Sequence, residues 1–231
     1  MLQKKQALYR DLIPIPVQEN KDPFSSLDTA GILYGYQKKN RDMEPILRGQ
    51  MLLRTPVIKR LQQAQVILQR KKPDYALYVT YGYRSLQVQT SRFQNQIVRE
   101  IRKKFFPDPI LLYEKAHCFT AMPIVAGHPT GGAIDVTLWD KKNQRLAPMG
   151  STLYDYTSSL CEVWNPDINQ EDRKQRMILR TCMMQAGFAP FDGEYWHFSF
   201  GDKEWASYYK KPAALYRQFP LENVLSSLAS F

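Results

Sequence analysis

Residues 127–140, GHPTGGAIDVTLWD, hold a histidine and an aspartate seven positions apart on either side of a glycine-containing break. The second half of this stretch is typical of a buried β-strand, whose side chains alternate between two faces. On one continuous strand, His128 and Asp135 would therefore point to opposite faces. Pro129 cannot join a strand ladder, however, and the two glycines after Thr130 permit a bend. The sequence predicts a break that folds His128 back toward Asp135 at the head of the strand.

A second stretch, GEYWHF at 193–198, raises the same question for Glu194 and His197. If Glu194 lies in a turn and 195–200 form a strand, the carboxylate can lie over the face from which His197 projects. Two neutral imidazoles and one carboxylate form a ligand set that suits Zn²⁺ and leaves a fourth position for water. Taken singly, each residue could equally be a hydrogen-bonded histidine or a carboxylate that caps a turn. Their joint arrangement favours a metal site formed by His128, Asp135 and His197.

The composition limits the class of protein. A chain of 231 residues with 44% hydrophobic residues can fill the core of one domain. No apolar run approaches the roughly eighteen residues of a membrane-spanning helix, and the first twenty residues lack the apolar core of a secretory signal. We therefore expect a cytoplasmic protein, with a periplasmic or exported one as the alternative. Three cysteines without CxxC spacing predict neither a disulfide framework nor a thiolate zinc site.

The formal net charge of +10 raises the question of a polyanionic partner. The basic residues are scattered along the chain, however, and they form neither a dense tract nor a nucleic-acid motif. Solvated helix faces account for most of this charge, so nucleic acid is not the expected partner. The sequence does not indicate an oligomeric state.

The order of elements predicts an α+β fold with a mostly antiparallel sheet and flanking helices. A helix is expected after Thr55, which would be its N-cap, with Pro56 at the first helical position. The run 75–83 alternates as a buried strand that ends near Gly82, and Arg84 follows where this strand stops. The next helix carries Phe93, Ile97 and Ile101 at helical spacing.

Further along the chain, 132–140 and 144–150 flank a turn and predict either a hairpin or a strand with a long return. The helix that follows stacks Ile178, Cys182 and Ala186 and ends at Gly187. We interpret 1–231 as one domain, with a less regular N-terminal arm (1–50), a core at about 55–200 and a C-terminal extension (201–231).

The two motifs together resemble those of the zinc D-alanyl-D-alanine dipeptidases of the vancomycin-resistance type. These enzymes belong to a wider fold that includes D-Ala-D-Ala carboxypeptidases and hedgehog domains. The family pattern is a histidine, two residues, glycine, one residue, alanine, one residue, aspartate, and later glutamate, one residue, tryptophan and histidine. Every fixed position is present, at His128, Gly131, Ala133, Asp135, Glu194, Trp196 and His197. The order of segments over about 55–200 also follows the family, including a GYR that ends at Arg84.

The resemblance implies a function and a role for each residue. His128, Asp135 and His197 would hold one zinc ion per chain, which activates a water molecule to hydrolyse D-Ala-D-Ala or a closely related dipeptide. Glu194 would be the general base, and Arg84 would donate hydrogen bonds to the oxyanion of the transition state.

Two alternatives to this function remain open. One is a carboxypeptidase or endopeptidase that acts on longer cell-wall peptides. The other is a non-catalytic zinc-binding module that serves recognition, although such a module would need neither Glu194 nor Arg84.

The amino end of the substrate is where this chain departs from the family. The serine that usually lies two residues before the first ligand is replaced by Ala126. The family's acidic residue, which binds the free ammonium group of the dipeptide, has its nearest counterpart in Asp155, and only if one residue is inserted after the MGS element. If Asp155 lines a closed pocket, N-acetylation of the dipeptide should abolish hydrolysis.

Overall fold

A computed structural model of the chain describes residues 7–228 and shows an α+β architecture, as the sequence predicts. Within these residues the helices are α1 (Tyr9–Leu12), α2 (Thr55–Lys71), α3 (Leu86–Lys103), α4 (Pro109–His117), α5 (Gln170–Gln185), α6 (Lys203–Tyr208) and α7 (Leu221–Leu228). The strands are β1 (Phe24–Ser26), β2 (Leu33–Tyr34), β3 (Leu52–Arg54), β4 (Tyr75–Tyr81), β5 (Ala133–Asp140), β6 (Arg145–Leu146), β7 (Ala189–Pro190) and β8 (His197–Ser199).

The main sheet has six strands. β2, β4, β5, β8 and β7 lie side by side in that order, and β6 pairs with β5 to complete the predicted hairpin. β2 and β4 run parallel, whereas the other pairs in this sheet are antiparallel. β1 and β3 form a separate antiparallel ribbon. The prediction of a mostly antiparallel sheet with flanking helices is confirmed.

The central strand β5 lies between β4 and β8. Its residues are buried on both faces except for Trp139, which is half-buried. α2 and α5 pack against each other and against β4 and β5, and this contact forms the main hydrophobic core. Asp135 therefore lies in a mostly apolar, enclosed strand, where an ionised carboxylate is stable only if it has partners.

The start of α2 differs from the prediction by one residue. Arg54 is the N-cap residue and Thr55 is already helical, so Thr55 is not the cap. The reason is that β3 runs directly into the helix, and the Thr55 hydroxyl is used elsewhere: it lies 2.7 Å from the hydroxyl of Ser25 and donates to the carbonyl of Pro23. At the other predicted helix end, Gly187 has the expected left-handed backbone, with φ +89°.

The buried face of α3 also differs from the prediction. Phe93 is buried, but Ile101 is exposed and Glu100 is buried in its place. Glu100 is tolerated there because its carboxylate accepts hydrogen bonds from Gln96 and Lys103. Apolar spacing alone therefore predicted the wrong buried residue at the C-terminal end of this helix face, Ile101 instead of Glu100.

The segment after β8 folds back onto the core. The Trp205 indole on α6 donates to the carbonyl of Gly187, and the Tyr209 hydroxyl donates to that of Phe188. The division into arm, core and extension stays a prediction, and its outermost parts, 1–6 and 229–231, lie outside the described residues. Over 7–228, every helix is too short or too polar to cross a membrane.

Candidate metal centre and active site

Three separate elements bring the predicted ligand residues together. His128 lies in a three-residue 3-10 turn that ends at Gly131, whose φ of +74° reverses the chain before β5. A side chain at Gly131 would also collide with the ring of Phe24. Asp135 on β5 and His197 at the start of β8 are direct cross-strand partners. The predicted break between His128 and Asp135 is thus present.

The second motif forms its turn slightly later than predicted. The strand expected over 195–200 is confined to His197–Ser199, because Tyr195 and Trp196 continue the turn that begins at Asp192. Glu194 lies within this irregular segment, and its carbonyl accepts a hydrogen bond from the backbone N–H of His197.

The His128 ring is held so that one nitrogen faces Asp135. Its Nδ1 lies 2.8 Å from the carbonyl oxygen of Gly82, and its Nε2 lies 3.4 Å from Asp135 Oδ1. A carbonyl can only accept, so Nδ1 carries the hydrogen and Nε2 has a free lone pair. Burial and the nearby Arg84 charge lower the pKa of His128 to about 4. At neutral pH this ring is therefore uncharged and could bind a metal ion through Nε2.

His197 presents its opposite nitrogen to the same carboxylate. Its Nδ1 lies 3.0 Å from Asp135 Oδ1, and its Nε2 lies 3.4 Å from Glu204 Oε2. Burial works to lower the pKa of His197, but the hydrogen bonds to Asp135 and Glu204 raise it well above the ordinary value. These carboxylates favour positive charge at this point, which a proton on the ring or a metal cation can supply.

Asp135 is the acidic centre of the cluster. Burial works to raise its pKa, but His128 and His197 hold it well below the ordinary range. Its second oxygen, Oδ2, accepts a hydrogen bond from the Tyr154 hydroxyl at 3.2 Å. The ligand atoms of His128, Asp135 and His197 all lie within 4.8 Å of one another. Two imidazole nitrogens and one carboxylate oxygen, all buried or nearly so, are a donor set that fits Zn²⁺.

Glu194 lies beside this cluster but is not one of the three grouped ligands. It is buried, and burial raises its pKa to about 7. The charge of Asp135 acts in the same direction, whereas the charge of His197 and the nearby polar groups of Tyr156 and Trp196 lower the pKa. A carboxyl group with such a pKa can both accept and release a proton near neutrality.

Arg84 lies just beyond the end of β4 and is only 7% exposed. Its guanidinium donates to the side-chain oxygen of Gln89 at 2.7 Å and lies over the ring of Tyr81 at 4.6 Å. Within the described residues its Nε has no hydrogen-bond partner. The guanidinium therefore keeps one buried N–H unpaired among the described residues, and Arg84 lines the cavity.

These groups share one cavity of about 610 Å³. His128, Asp135, His197, Glu194 and Arg84 all contribute to its wall. A volume of this size lies in the range of about 300–1,000 Å³ that is usual for ligand pockets. The structure thus brings together five of the six predicted site residues.

Asp155 is the sixth, and the structure does not bring it to the cavity. Its carboxylate accepts hydrogen bonds from the backbone and hydroxyl of Thr157, which lower its pKa, and the charge of Lys39 adds a smaller effect. The neighbouring Tyr154 lines the cavity instead. The geometry offers no support for Asp155 as a residue that binds the substrate ammonium group.

Sequence reasoning did not identify Glu204 or Tyr154. Both are within hydrogen-bond or ion-pair distance of a predicted ligand residue, and both line the cavity. For Glu204, the only signal in the sequence is the helix-starting stretch GDKEWA shortly after the second motif. Asp202 in this stretch caps α6 through a hydrogen bond from the N–H of Trp205, which sets the first turn beside β8.

The chain matches known proteins over most of its length. A family model described as D-Ala-D-Ala dipeptidase matches residues 47–216. A D-alanyl-D-alanine dipeptidase from Synechocystis sp. (strain ATCC 27184 / PCC 6803 / Kazusa) is 27% identical over 225 residues, which cover 86% of this chain and 90% of that protein. The D-alanyl-D-alanine dipeptidase of Enterococcus faecium is 30% identical over 84 residues, 36% of this chain and 41% of the relative. A solved structure of VanYB in complex with D-alanine-D-alanine is 14% identical, with a TM-score of 0.44, over 93% of this chain and 97% of that chain.

Proposed function

Because the chain belongs to the D-Ala-D-Ala dipeptidase family, we propose that this metallopeptidase uses one zinc ion to hydrolyse D-Ala-D-Ala or a closely related dipeptide. The observation that carries the proposal is the convergence of His128 Nε2, His197 Nδ1 and Asp135 Oδ1 beside Glu194. Hydrolysis of longer peptides that end in D-Ala-D-Ala is the alternative. Family membership favours an enzyme over a non-catalytic recognition module, and the cytoplasmic location stays a prediction from the sequence.

His128, Asp135 and His197 are the proposed ligands. These residues suit a zinc ion because His128 is uncharged and because the carboxylates beside His197 favour positive charge at this point. When bound, zinc would polarise the scissile carbonyl and lower the pKa of a water molecule toward neutrality. The Gly82 carbonyl and Glu204 would fix the tautomers of the two rings, so that each keeps its lone pair toward the ligand position.

Glu194 is the proposed general base. Its raised pKa suits a group that takes a proton from water and then delivers one to the leaving amine. The reaction breaks the peptide C–N bond. The water oxygen joins the carbonyl carbon, and the proton held by Glu194 goes to the nitrogen of the leaving amino acid.

Arg84 is the proposed oxyanion donor. Negative charge develops on the carbonyl oxygen only as the carbon becomes tetrahedral, so a donor aimed there stabilises the transition state more than the substrate. The contacts with Gln89 and Tyr81 would hold the guanidinium in place before substrate arrives, which spares the cost of ordering it during the reaction.

The test is an assay of the purified, zinc-loaded protein on D-Ala-D-Ala and L-Ala-L-Ala. We expect release of D-alanine from D-Ala-D-Ala, loss of this activity with a chelator, and recovery when zinc is added back. Activity that survives complete removal of the metal would contradict the zinc mechanism. Equal rates on both stereoisomers would contradict the substrate assignment.

A further inference from the structure

The cavity contains more uncommitted positive than negative charge. Of the described residues, six cationic side chains line it, namely Lys38, Lys39, Arg41, Arg84, Arg92 and Arg99. Four acidic side chains line it, namely Asp42, Asp135, Glu194 and Glu204. Which of these charges remain available to a substrate depends on their partners.

The acidic residues all have a partner or a proposed role. Asp135 and Glu204 face the two ligand histidines, and Glu194 is the proposed base. Asp42 accepts hydrogen bonds from the Tyr81 hydroxyl at 2.5 Å and from Arg92 at 2.6 Å. No carboxylate on the described wall of the cavity is therefore left to pair with the ammonium group of a free dipeptide.

Three exposed cations of the cavity wall lack such partners, and we call these three residues (Lys38, Lys39 and Arg99) the rim of the cavity. Arg92 is paired with Asp42, and Arg41 with Glu44. Lys38, Lys39 and Arg99 are exposed, and they form no ion pair within residues 7–228.

The position of the two lysines is set by the fold. Lys38 and Lys39 occupy the middle of a turn that is closed by a hydrogen bond from the N–H of Asn40 to the carbonyl of Gln37. Asn40 is buried, and its side chain accepts a hydrogen bond from Arg92 on α3. The turn is thus tied to the helix that also carries Arg99, and both elements border the same opening.

The same turn borders a second cavity of about 420 Å³, which Lys38 and Lys39 also line. Lys38 and Lys39 therefore contribute to the walls of both cavities. In this chain Tyr154 faces the cavity, while Asp155 is turned to Thr157.

We propose that the preferred substrate is an acidic, N-acylated D-Ala-D-Ala peptide, whose additional carboxylate upstream of the scissile bond is bound by Lys38, Lys39 and Arg99. This inference rests on the proposed zinc-dependent hydrolysis of the D-Ala-D-Ala bond, and it selects the longer peptides, named above as the alternative, over the free dipeptide. Lysine and arginine at a cavity mouth concentrate anions and speed their association. N-acylation removes the ammonium charge, which the positive rim would otherwise repel.

The test compares kcat/KM of the zinc-loaded enzyme for three substrates: D-Ala-D-Ala, N-acetyl-D-Ala-D-Ala and N-succinyl-D-Ala-D-Ala. The succinyl group carries a carboxylate that the acetyl group lacks. The ratio of kcat/KM for these two substrates therefore reports the effect of the positive rim on a substrate carboxylate. We expect the succinyl substrate to be cleaved about tenfold faster than the acetyl substrate at low salt, and this ratio to fall toward one at high salt. The free dipeptide should be the poorest of the three.

Matched variants assign the effect to the rim. Lys38→Ala/Lys39→Ala should abolish the succinyl preference, whereas Lys59→Ala/Lys142→Ala, which removes two exposed lysines outside the cavity, should retain it. On α3, Arg99→Ala should reduce the preference and Arg102→Ala, one helical turn away and exposed, should not. The comparison of substrates on the unmodified enzyme remains decisive if a variant folds poorly.

Each result separates the inference from the proposed function. Cleavage of the free dipeptide alone would overturn the inference and leave the dipeptidase proposal intact. Equal cleavage of the acetyl and succinyl substrates would also overturn the inference. Failure to cleave any of the three would overturn the proposed function, and the inference with it.

Discussion

Glu204 Oε2 lies 3.4 Å from the Nε2 of His197, on the side of the ring opposite Asp135. Burial works to raise the pKa of Glu204, but its hydrogen bond with His197 holds the pKa below the ordinary value. An ionised Glu204 can only accept, so it holds a hydrogen on Nε2, and Nδ1 becomes the lone-pair atom once a metal ion replaces the proton that faces Asp135. We therefore propose Glu204 as a positioning residue for His197, the proposed ligand.

We predict that Glu204→Ala weakens zinc binding by about 10–100-fold, the usual cost of losing a partner of a ligand histidine. Competition titration with a chromophoric chelator measures this affinity directly and does not depend on turnover. Glu204→Gln should lose less zinc affinity, because its amide oxygen can still accept a hydrogen bond from Nε2 of His197. Glu222→Ala, which removes an exposed carboxylate on α7, is the control. Unchanged zinc affinity in Glu204→Ala would show that the contact does not orient the ring.

The three histidines of the chain provide an internal test of the ligand assignment. His128→Ala and His197→Ala should each lose stoichiometric zinc, because two remaining ligands leave an incomplete site. His117→Gln should retain it, since the Nδ1 of His117 accepts a hydrogen bond from the N–H of Met122 and His117 is not among the grouped ligands. Elemental analysis after dialysis is the measurement. Full zinc content in either ligand variant would refute the assignment.

Glu194→Gln should keep the zinc and the fold but lower kcat by about 10²–10⁴-fold, because an amide cannot accept the proton of the water. The neutral side chain has nearly the same shape and still suits the buried position, where the carboxyl pKa is raised to about 7. Zinc content and the far-ultraviolet circular dichroism spectrum are the controls. A variant with near wild-type turnover would assign Glu194 a structural role.

Asp202 gives rise to a pH-dependent stability. Burial and the charge of Glu204 raise its pKa to about 6 from the ordinary 3.8, while the Trp205 N–H, Ser199 and His197 lower it. The folded protein thus binds this proton more tightly than the unfolded chain. Protonation contributes stability below about pH 4, and this contribution is lost as the pH rises toward 6.

Asp202→Asn should remove this loss, because asparagine caps a helix about as well as aspartate but carries no charge. We expect the variant to be more stable than wild type above pH 6 by about 1–3 kcal/mol, the order of magnitude that corresponds to such a pKa difference. Urea unfolding at pH 4 and 7.5, with a chelator present so that metal binding does not contribute, gives the comparison. Equal stability at pH 7.5 would show that the Asp202 carboxylate is not destabilising when ionised.

Local sequence rules predicted the bend that brings His128 to Asp135, because these rules concern neighbouring residues. That His197 meets Asp135 from 62 positions away was predicted only from the joint ligand set and the family pattern. A proline and two glycines before β5 permit the bend, and the side-chain period of a strand then determines which groups can meet. Glu204 and Tyr154 could not be predicted in this way. Glu204 reaches His197 only because α6 folds back beside β8, and Tyr154 faces Asp135 across 19 positions of the chain.

The fold was predicted to a similar degree. The strand pattern of β4 and β5 follows from alternation and apolar content, which the chain itself displays. The burial of Glu100 on α3 could not be predicted from such a pattern, since it depends on hydrogen bonds from Gln96 and Lys103. The rim of the cavity also escaped prediction, because the turn at Lys38 and Lys39 is fixed by a contact of Asn40 with Arg92, 52 positions away.

Arg84 offers the sharpest test of transition-state stabilisation. Its guanidinium is anchored by Gln89 and by the face of Tyr81, and it retains a buried Nε without a partner among the described residues. A lysine would keep the charge, but it lacks the planar fork that can bond Gln89 and the oxyanion together. Arg84→Lys should therefore lower kcat by about 10²–10³-fold, the cost of removing one oxyanion donor, with a much smaller change in KM.

Arg92→Lys is the matched control for this prediction. Arg92 lines the same cavity and lies over the same Tyr81 ring at 5.0 Å, but its charge is paired with Asp42 at 2.6 Å. Its replacement should change KM more than kcat, because it supports the rim and has no free donor for a developing charge. Steady-state kinetics of both variants on D-Ala-D-Ala separates the two effects. If Arg84→Lys raises KM and leaves kcat unchanged, Arg84 binds the ground state of the substrate, and another group must stabilise the oxyanion.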